Sequence, residues 1–195
     1  SSKAYKLSIS GLKGGHSGVE IDKQRANAIK LAARLLYLVK ADVRLASFVG
    51  GIKHNAVPAN AEVVFATDKF DSLKEGLDAL VADLKEEYRV EDPGLTISFT
   101  EVTADQVYTK DLSDSVIDMI MALPDGVQYM SKDIEGLVQT SLNNSVILEN
   151  DGKLVLTTSV RSASSSSLRE ILNRVTIIAN RMGAVAREYS SYPAW

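Results

Sequence analysis

The sequence predicts an α+β fold, an antiparallel sheet with helices on one face. Three observations carry this reading. Short stretches alternate apolar and polar residues, longer ones place apolar residues at helical spacing, and part of the element order recurs after residue 104.

The chain opens with "AYKLSISGL", in which Tyr5, Leu7 and Ile9 alternate as in a half-buried strand. "DKQRANAIKLAARLLYLVK" follows with good helix formers and apolar residues at Ile29, Ala33, Leu36 and Val39. "DVRLASFVGG" and "ANAEVVFAT" read as two further strands. "DKFDSLKEGLDALVADLKEEYR" sets Phe70, Leu73, Leu77, Leu80, Leu84 and Tyr88 along one helical stripe, and "GLTISFTEV" is another alternating strand. This order, βαββαβ, is the ferredoxin-like arrangement. From residue 104 an αββαβ half is expected. "LSDSVIDMIMAL" is a helix stopped by Pro124-Asp125-Gly126, and "LVQTSLNNSVILE" and "KLVLTTSVRS" are strands joined by the turn Asn150-Asp151-Gly152. In "SSLREILNRVTIIANRM", Ser167 and Glu170 have capping-box spacing, and Leu168, Ile171, Leu172, Val175 and Ile178 form a stripe ending at Gly183. "AVAREYSSY" is expected as the last strand. The lobes, 1–103 and 104–195, share no residue-level repeat and form either two similar units or one extended sheet.

Composition narrows the function classes. A chain of 195 residues can bury roughly 70% of its unfolded surface, so a real core is available. No run of about 18 apolar residues is present to span a bilayer. Without cysteine there is no disulfide, thiolate metal site or thiol nucleophile, and "SSKAYKLSIS" has no apolar leader stretch, which fits a cytoplasmic protein. Lys and Arg number 22 against 25 Asp and Glu, and the basic residues are scattered. Neither nucleic acid nor an anionic membrane is expected as a partner.

A hydrolytic zinc site needs three or four converging side chains, commonly spaced as H-x-D or H-E-x-x-H, and neither spacing occurs. The two histidines, His16 and His54, lie in separate segments, so no metal ligands are expected in this chain. Ser17 adjoins His16, but neighbours on an extended backbone point apart and "GGHSG" lacks the G-x-S-x-G elbow. P-loop, dinucleotide and calcium motifs are absent from the sequence.

Polar residues at strand ends remain. "GLKGGHSG" leaves the first strand, "GGIKHNAVP" joins the second to the third, and "SVRSASSSS" precedes the last helix. Binding residues concentrate in such loops. Gly14, Gly15 and Gly18 either make a tight connection or permit close approach of a ligand to the backbone beside His16. Asn55 is either a turn residue bonding its own backbone or a binding residue. Arg161, at the end of an apolar strand, is either half-buried against a carboxylate or aimed at an anionic ligand. The serines after it read as the start of a helix.

"GLKGGHSGVEIDKQRANAIKL", "FVGGIKHNAVPANA", "VQTSLNNSV", "SVRS" and the terminal "YPAW" resemble the lid, or dimerisation, domain of the cytosolic zinc aminoacyl-histidine dipeptidases. That family is grouped with the carnosinases and carboxypeptidase-G-type enzymes. The resemblance runs from Tyr5 to Trp195, and "GLKGGHSG" followed by a long helix is its most specific element. It implies that residues 1–195 are a lid inserted into a larger metallopeptidase, whose separate catalytic domain carries two zinc ions and is absent from this chain. The chain alone is then expected to be inactive.

The resemblance also implies roles for individual residues. His16 would reach an active site, commonly the partner subunit's, and donate to the scissile carbonyl oxygen. Asn55 and Arg161 would hold a dipeptide's terminal carboxylate or carbonyl, and Asn143 would line the same cleft. Related enzymes often carry a different basic residue where His54 stands, so His54 is not expected to be catalytic. The substrates implied are Xaa-His and other dipeptides, and the partners are the catalytic domain of the same polypeptide and a second copy in a homodimer. Tyr5 and Tyr192, near the two junctions, are expected close together. The alternative is a stand-alone ferredoxin-like module for small-ligand binding or dimerisation.

Overall fold

The computed structural model of the chain describes residues 3–189. Its first half follows the sequence pattern closely. β1 (Ala4–Ser10) turns Tyr5, Leu7 and Ile9 inward, and all three are buried. It lies between β3 (Ala61–Ala66) and β4 (Thr96–Val102), and β2 (Arg44–Gly50) pairs with β3 on its far side. The resulting order β4-β1-β3-β2 is that of the ferredoxin-like unit.

α1 (Ala28–Leu38) packs on β1 and β3, with α2 (Phe70–Glu87) and α3 (Lys110–Ala122) beside it. Enclosed by these neighbours, α1 buries Ala28, Ile29, Leu31, Ala32, Ala33, Leu35 and Leu36, far more than one stripe. α2 buries only Leu77 and Leu84, while Phe70, Leu73, Leu80 and Tyr88 pack partly covered on the same core. Phe70 stacks on Tyr5 at 4.0 Å between ring centroids, which joins the start of α2 to β1.

The second half continues the same sheet. β6 (Val138–Asn150) pairs with β7 (Lys153–Ser162) from Thr140↔Ser162 to Asn150↔Lys153. Its other edge is shared by β5 (Gly126–Met130) and by β2, which meets it at Gly50↔Ile147. All seven strands therefore belong to one antiparallel sheet. α4 (Ser165–Arg181) packs on β7 and turns inward with Ile171 and Ala179.

Four expectations are corrected. The first helix begins at Ala28 rather than Asp22, because Asn27 caps it through bonds from Ile29 N–H and Lys30 N–H, and the preceding residues form a 3-10 turn ending at left-handed Gln24. α4 is capped by Ser164, which accepts from Ser167 N–H, so Ser167 is inside the helix and makes no capping box with Glu170. Ala184–Tyr189 is not a strand; after Gly183 turns with positive φ, Glu188 pairs with Arg169 of α4 at 2.7 Å. β5 was not expected, its five residues being hidden behind the Pro-Asp-Gly stop. Tyr192 and "YPAW" lie outside the described residues.

Candidate functional site

The loop after β1 is pinned before it reaches His16. Asp92, buried to 1% exposure, accepts from Lys13 N–H through Oδ1 and from Ala26 N–H through Oδ2, each at 2.8 Å. One carboxylate thus ties the start of the loop to the segment leading into α1, with charge-assisted bonds. Further along, Glu20 accepts from His16 N–H at 2.8 Å while Glu20 N–H donates back to the His16 carbonyl at 2.9 Å. The bond from His16 N–H, with the Arg25 guanidinium beside it, holds the Glu20 carboxyl below its usual range. Gly15 completes this turn at φ +111°, where a Cβ would lie 2.5 Å from Glu20 Oε2.

Two loops then pair. Ser17 N–H donates to the Asn55 carbonyl and Val57 N–H to the Gly15 carbonyl, both at 2.9 Å, with His16 opposite Ala56 in a single antiparallel bridge. The second loop is held from below by β6 and β7. Asn143 and Ser159 are cross-strand partners, and both reach it: Asn143 Nδ2 donates to the Ala56 carbonyl and Ser159 Oγ to the His54 carbonyl, each at 2.8 Å. Arg161 stands two residues beyond Ser159 and therefore emerges on the same face.

The side chains at this junction divide into spent and available groups. His16 Nδ1 accepts from Gly18 N–H at 3.0 Å and Val19 N–H at 3.1 Å. A neutral imidazole whose Nδ1 is an acceptor carries its proton on Nε2, so exposed His16 presents an N–H donor outward. Arg161 comes to the same place: a Cβ on Gly18 would lie 2.7 Å from Arg161 Nη1 and 3.1 Å from His16 Cε1. The guanidinium of half-buried Arg161 makes no hydrogen bond or ion pair among the described residues, and neither does the side-chain amide of Asn55. Ser17 is buried with its Oγ unpartnered.

The structure thus brings His16, Asn55, Asn143 and Arg161, which lie far apart in the chain, to one junction. Asn143 is 2% exposed with its Nδ2 engaged, whereas His54 is exposed and contributes its backbone carbonyl. Sequence reasoning missed Asp92 and Glu20, which position the loop. Asp-Pro-Gly at 92–94 reads as a turn, and nothing local signals that its carboxylate reaches residues 13 and 26.

Opposite this junction, Asn144, adjacent to Asn143, turns to the other face of β6. Its Nδ2 donates to the Pro124 carbonyl and Asp125, its Oδ1 accepts from Thr158, and Asn27 Nδ2 donates to Asp125 and to the Asn144 carbonyl. Lys30 closes the cluster by donating to carbonyls at the end of α3. Burial raises the Asp125 carboxyl and lowers the Lys30 ammonium from their usual ranges.

Among the described residues no group of three or more His, Cys, Asp or Glu side chains could hold a metal ion. The His16 junction does not fit one, since Nδ1 is occupied by two N–H donors and the nearby side chain is the Arg161 cation. No helix among the described residues is long and apolar enough to cross a membrane.

Residues 7–92 match the family model described as the peptidase dimerisation domain, M20_dimer. The chain is 33% identical over 198 residues to the cytosol non-specific dipeptidase of Escherichia coli strain K12, spanning 99% of this chain and 41% of that protein. The crystal structure of an aminoacylhistidine dipeptidase from Vibrio alginolyticus superposes with a TM-score of 0.88 at 33% identity, covering 93% of this chain and 38% of that one. The chain therefore spans about two fifths of the length of these relatives.

Proposed function

From a chain that carries the M20 peptidase dimerisation domain, a domain of a hydrolase family, we propose that residues 1–195 act as the lid of a cytoplasmic zinc-dependent dipeptidase. The lid supplies substrate-binding groups to an active site built by a catalytic domain of the same polypeptide, in a homodimer. Lobes 1–103 and 104–195 contribute jointly, because the junction at His16 is made from both. The observation that carries this reading is the meeting of two available donors, His16 Nε2–H and the Arg161 guanidinium, beside Gly18.

Each group has its own task. His16 donates to the scissile carbonyl oxygen of a dipeptide as negative charge develops there, and its fixed orientation spares reorganisation during reaction. Arg161 and Asn55 hold the terminal carboxylate, which distinguishes a dipeptide from the interior of a protein. Asn143 lines the cleft from below, with its amide nitrogen committed to the loop. The two zinc ions implied by the family resemblance belong to the catalytic domain, and this chain acts on the substrate alone. Closure of the lid over the substrate excludes water and delivers His16 and Arg161 together.

The test is His16→Ala in the full-length polypeptide, with kcat and metal content measured on one preparation. The expected result is a fall in kcat of about 10²–10³ with unchanged metal content. Lost metal with unchanged kcat per bound metal would overturn the assignment. Full activity in the variant would favour a pure dimerisation module.

A further inference from the structure

We propose that Gly18 is a positioning residue for both donors at the junction. The proposal rests on the reading of His16 and Arg161 as substrate-binding groups and extends it to the residue that sets their placement.

Gly18 acts in two ways. Its backbone N–H, with that of Val19, donates to His16 Nδ1 and so keeps the imidazole proton on Nε2, the outward nitrogen. Its missing side chain leaves the space that the Arg161 guanidinium occupies. A Cβ there would stand 2.7 Å from Arg161 Nη1, 3.0 Å from Arg161 Cζ and 3.1 Å from His16 Cε1. Its requirement for glycine is therefore one of space, in contrast to Gly15, whose φ is +111°. An alanine at position 18 keeps the N–H and pushes the far end of a flexible side chain aside. It displaces Arg161 more than it disturbs the backbone or the His16 tautomer.

This makes Gly18→Ala a specific perturbation, readable as a double-mutant cycle in the full-length polypeptide with Gly18→Ala, Arg161→Ala and the double variant. With a dipeptide bearing a free C-terminal carboxylate, Gly18→Ala is expected to raise KM roughly tenfold, within the range for losing a hydrogen bond to a charged group, and to lower kcat much less. In the Arg161→Ala background the same change is expected to leave KM within about twofold, because the group it displaces is gone. The His16 ring nitrogens, followed by ¹⁵N NMR, should remain in the Nε2–H tautomer in Gly18→Ala.

The outcomes are distinguishable. If Arg161→Ala and His16→Ala lower kcat/KM but Gly18→Ala leaves KM unchanged, or if its effect on KM is additive with that of Arg161→Ala, the role of Gly18 is overturned while the reading of the site stands. If neither Arg161→Ala nor His16→Ala lowers kcat/KM, that reading fails. An Nδ1–H tautomer in the wild-type protein would contradict the backbone half of the proposal directly.

Discussion

Asn143 and Asn144 are neighbours on β6, yet they serve opposite junctions between the two halves of the molecule. On one face, Asn144 joins Asn27, Asp125, Thr158 and Lys30 in a cluster whose donors and acceptors are matched. On the other, Asn143 and Ser159 hold the loop at 54–57, and above them His16 Nε2 and the Arg161 guanidinium have no partner among the described residues. Buried polar groups must be matched because leaving one unpaired costs more than a bond gains. Half-exposed donors escape that penalty and can be kept for a ligand. The closed junction fixes how the halves meet, and the open one uses that placement.

The sharpest contrast comes from one truncation at each junction. Asp125→Ala, which strands donors of Asn27 and Asn144, is expected to lower the unfolding free energy by about 3 kcal/mol in denaturant titration. His16→Ala should change that quantity by less than about 0.5 kcal/mol, because its side chain is exposed. An equal loss of stability in both variants would erase the distinction between the junctions.

The closed junction also has a pH signature. Burial raises the Asp125 carboxyl, so the folded protein holds this proton to higher pH than the unfolded chain, whose reference value is 3.8. Stability contributed by the protonated carboxyl is complete below that reference value and is lost as pH rises through the raised folded value. Unfolding curves of wild type and Asp125→Asn across this window should show the wild type losing ground to the variant with rising pH. A gain would reverse the sign of the burial argument.

Asn143→Ala belongs between the extremes. Removing its bond to Ala56 should cost about 1–2 kcal/mol of stability and raise KM as the loop loosens. A small effect is expected outside both junctions, at the ion pair of Arg34 and Glu87, 2.8 Å apart on α1 and α2. Its hydrogen bond lowers the Glu87 carboxyl, so any contribution is present above the ordinary value of 4.5 and fades as pH falls through the lowered one. Glu87→Gln should cost at most about 1 kcal/mol at neutral pH, since the pair is partly exposed and screened.

The strands and helices of the first half were legible because one face of each is buried, which writes a period into the sequence. Element boundaries were not legible where side-chain chemistry overrode propensity. Asn27 caps α1 despite helix formers before it, and Ser164 caps α4 ahead of Ser167. Ala184–Tyr189 alternates well enough for a strand but is held by Glu188 to α4. At the site, the glycines around His16 and the strand-end Arg161 stood out because those residue types are unusual in such places. Their meeting was not legible from periodicity or spacing, nor was Asp92, whose two bonds span 79 and 66 positions of chain.

The central claim is that Arg161 binds the terminal carboxylate of a dipeptide beside His16. Its most direct test is kcat/KM of the full-length wild-type and Arg161→Ala polypeptides, each on a dipeptide and on its C-terminally amidated analogue. The account predicts that Arg161→Ala loses roughly tenfold to a hundredfold on the free dipeptide and far less on the amide, collapsing the wild-type preference between them. Equal losses on both substrates would contradict it.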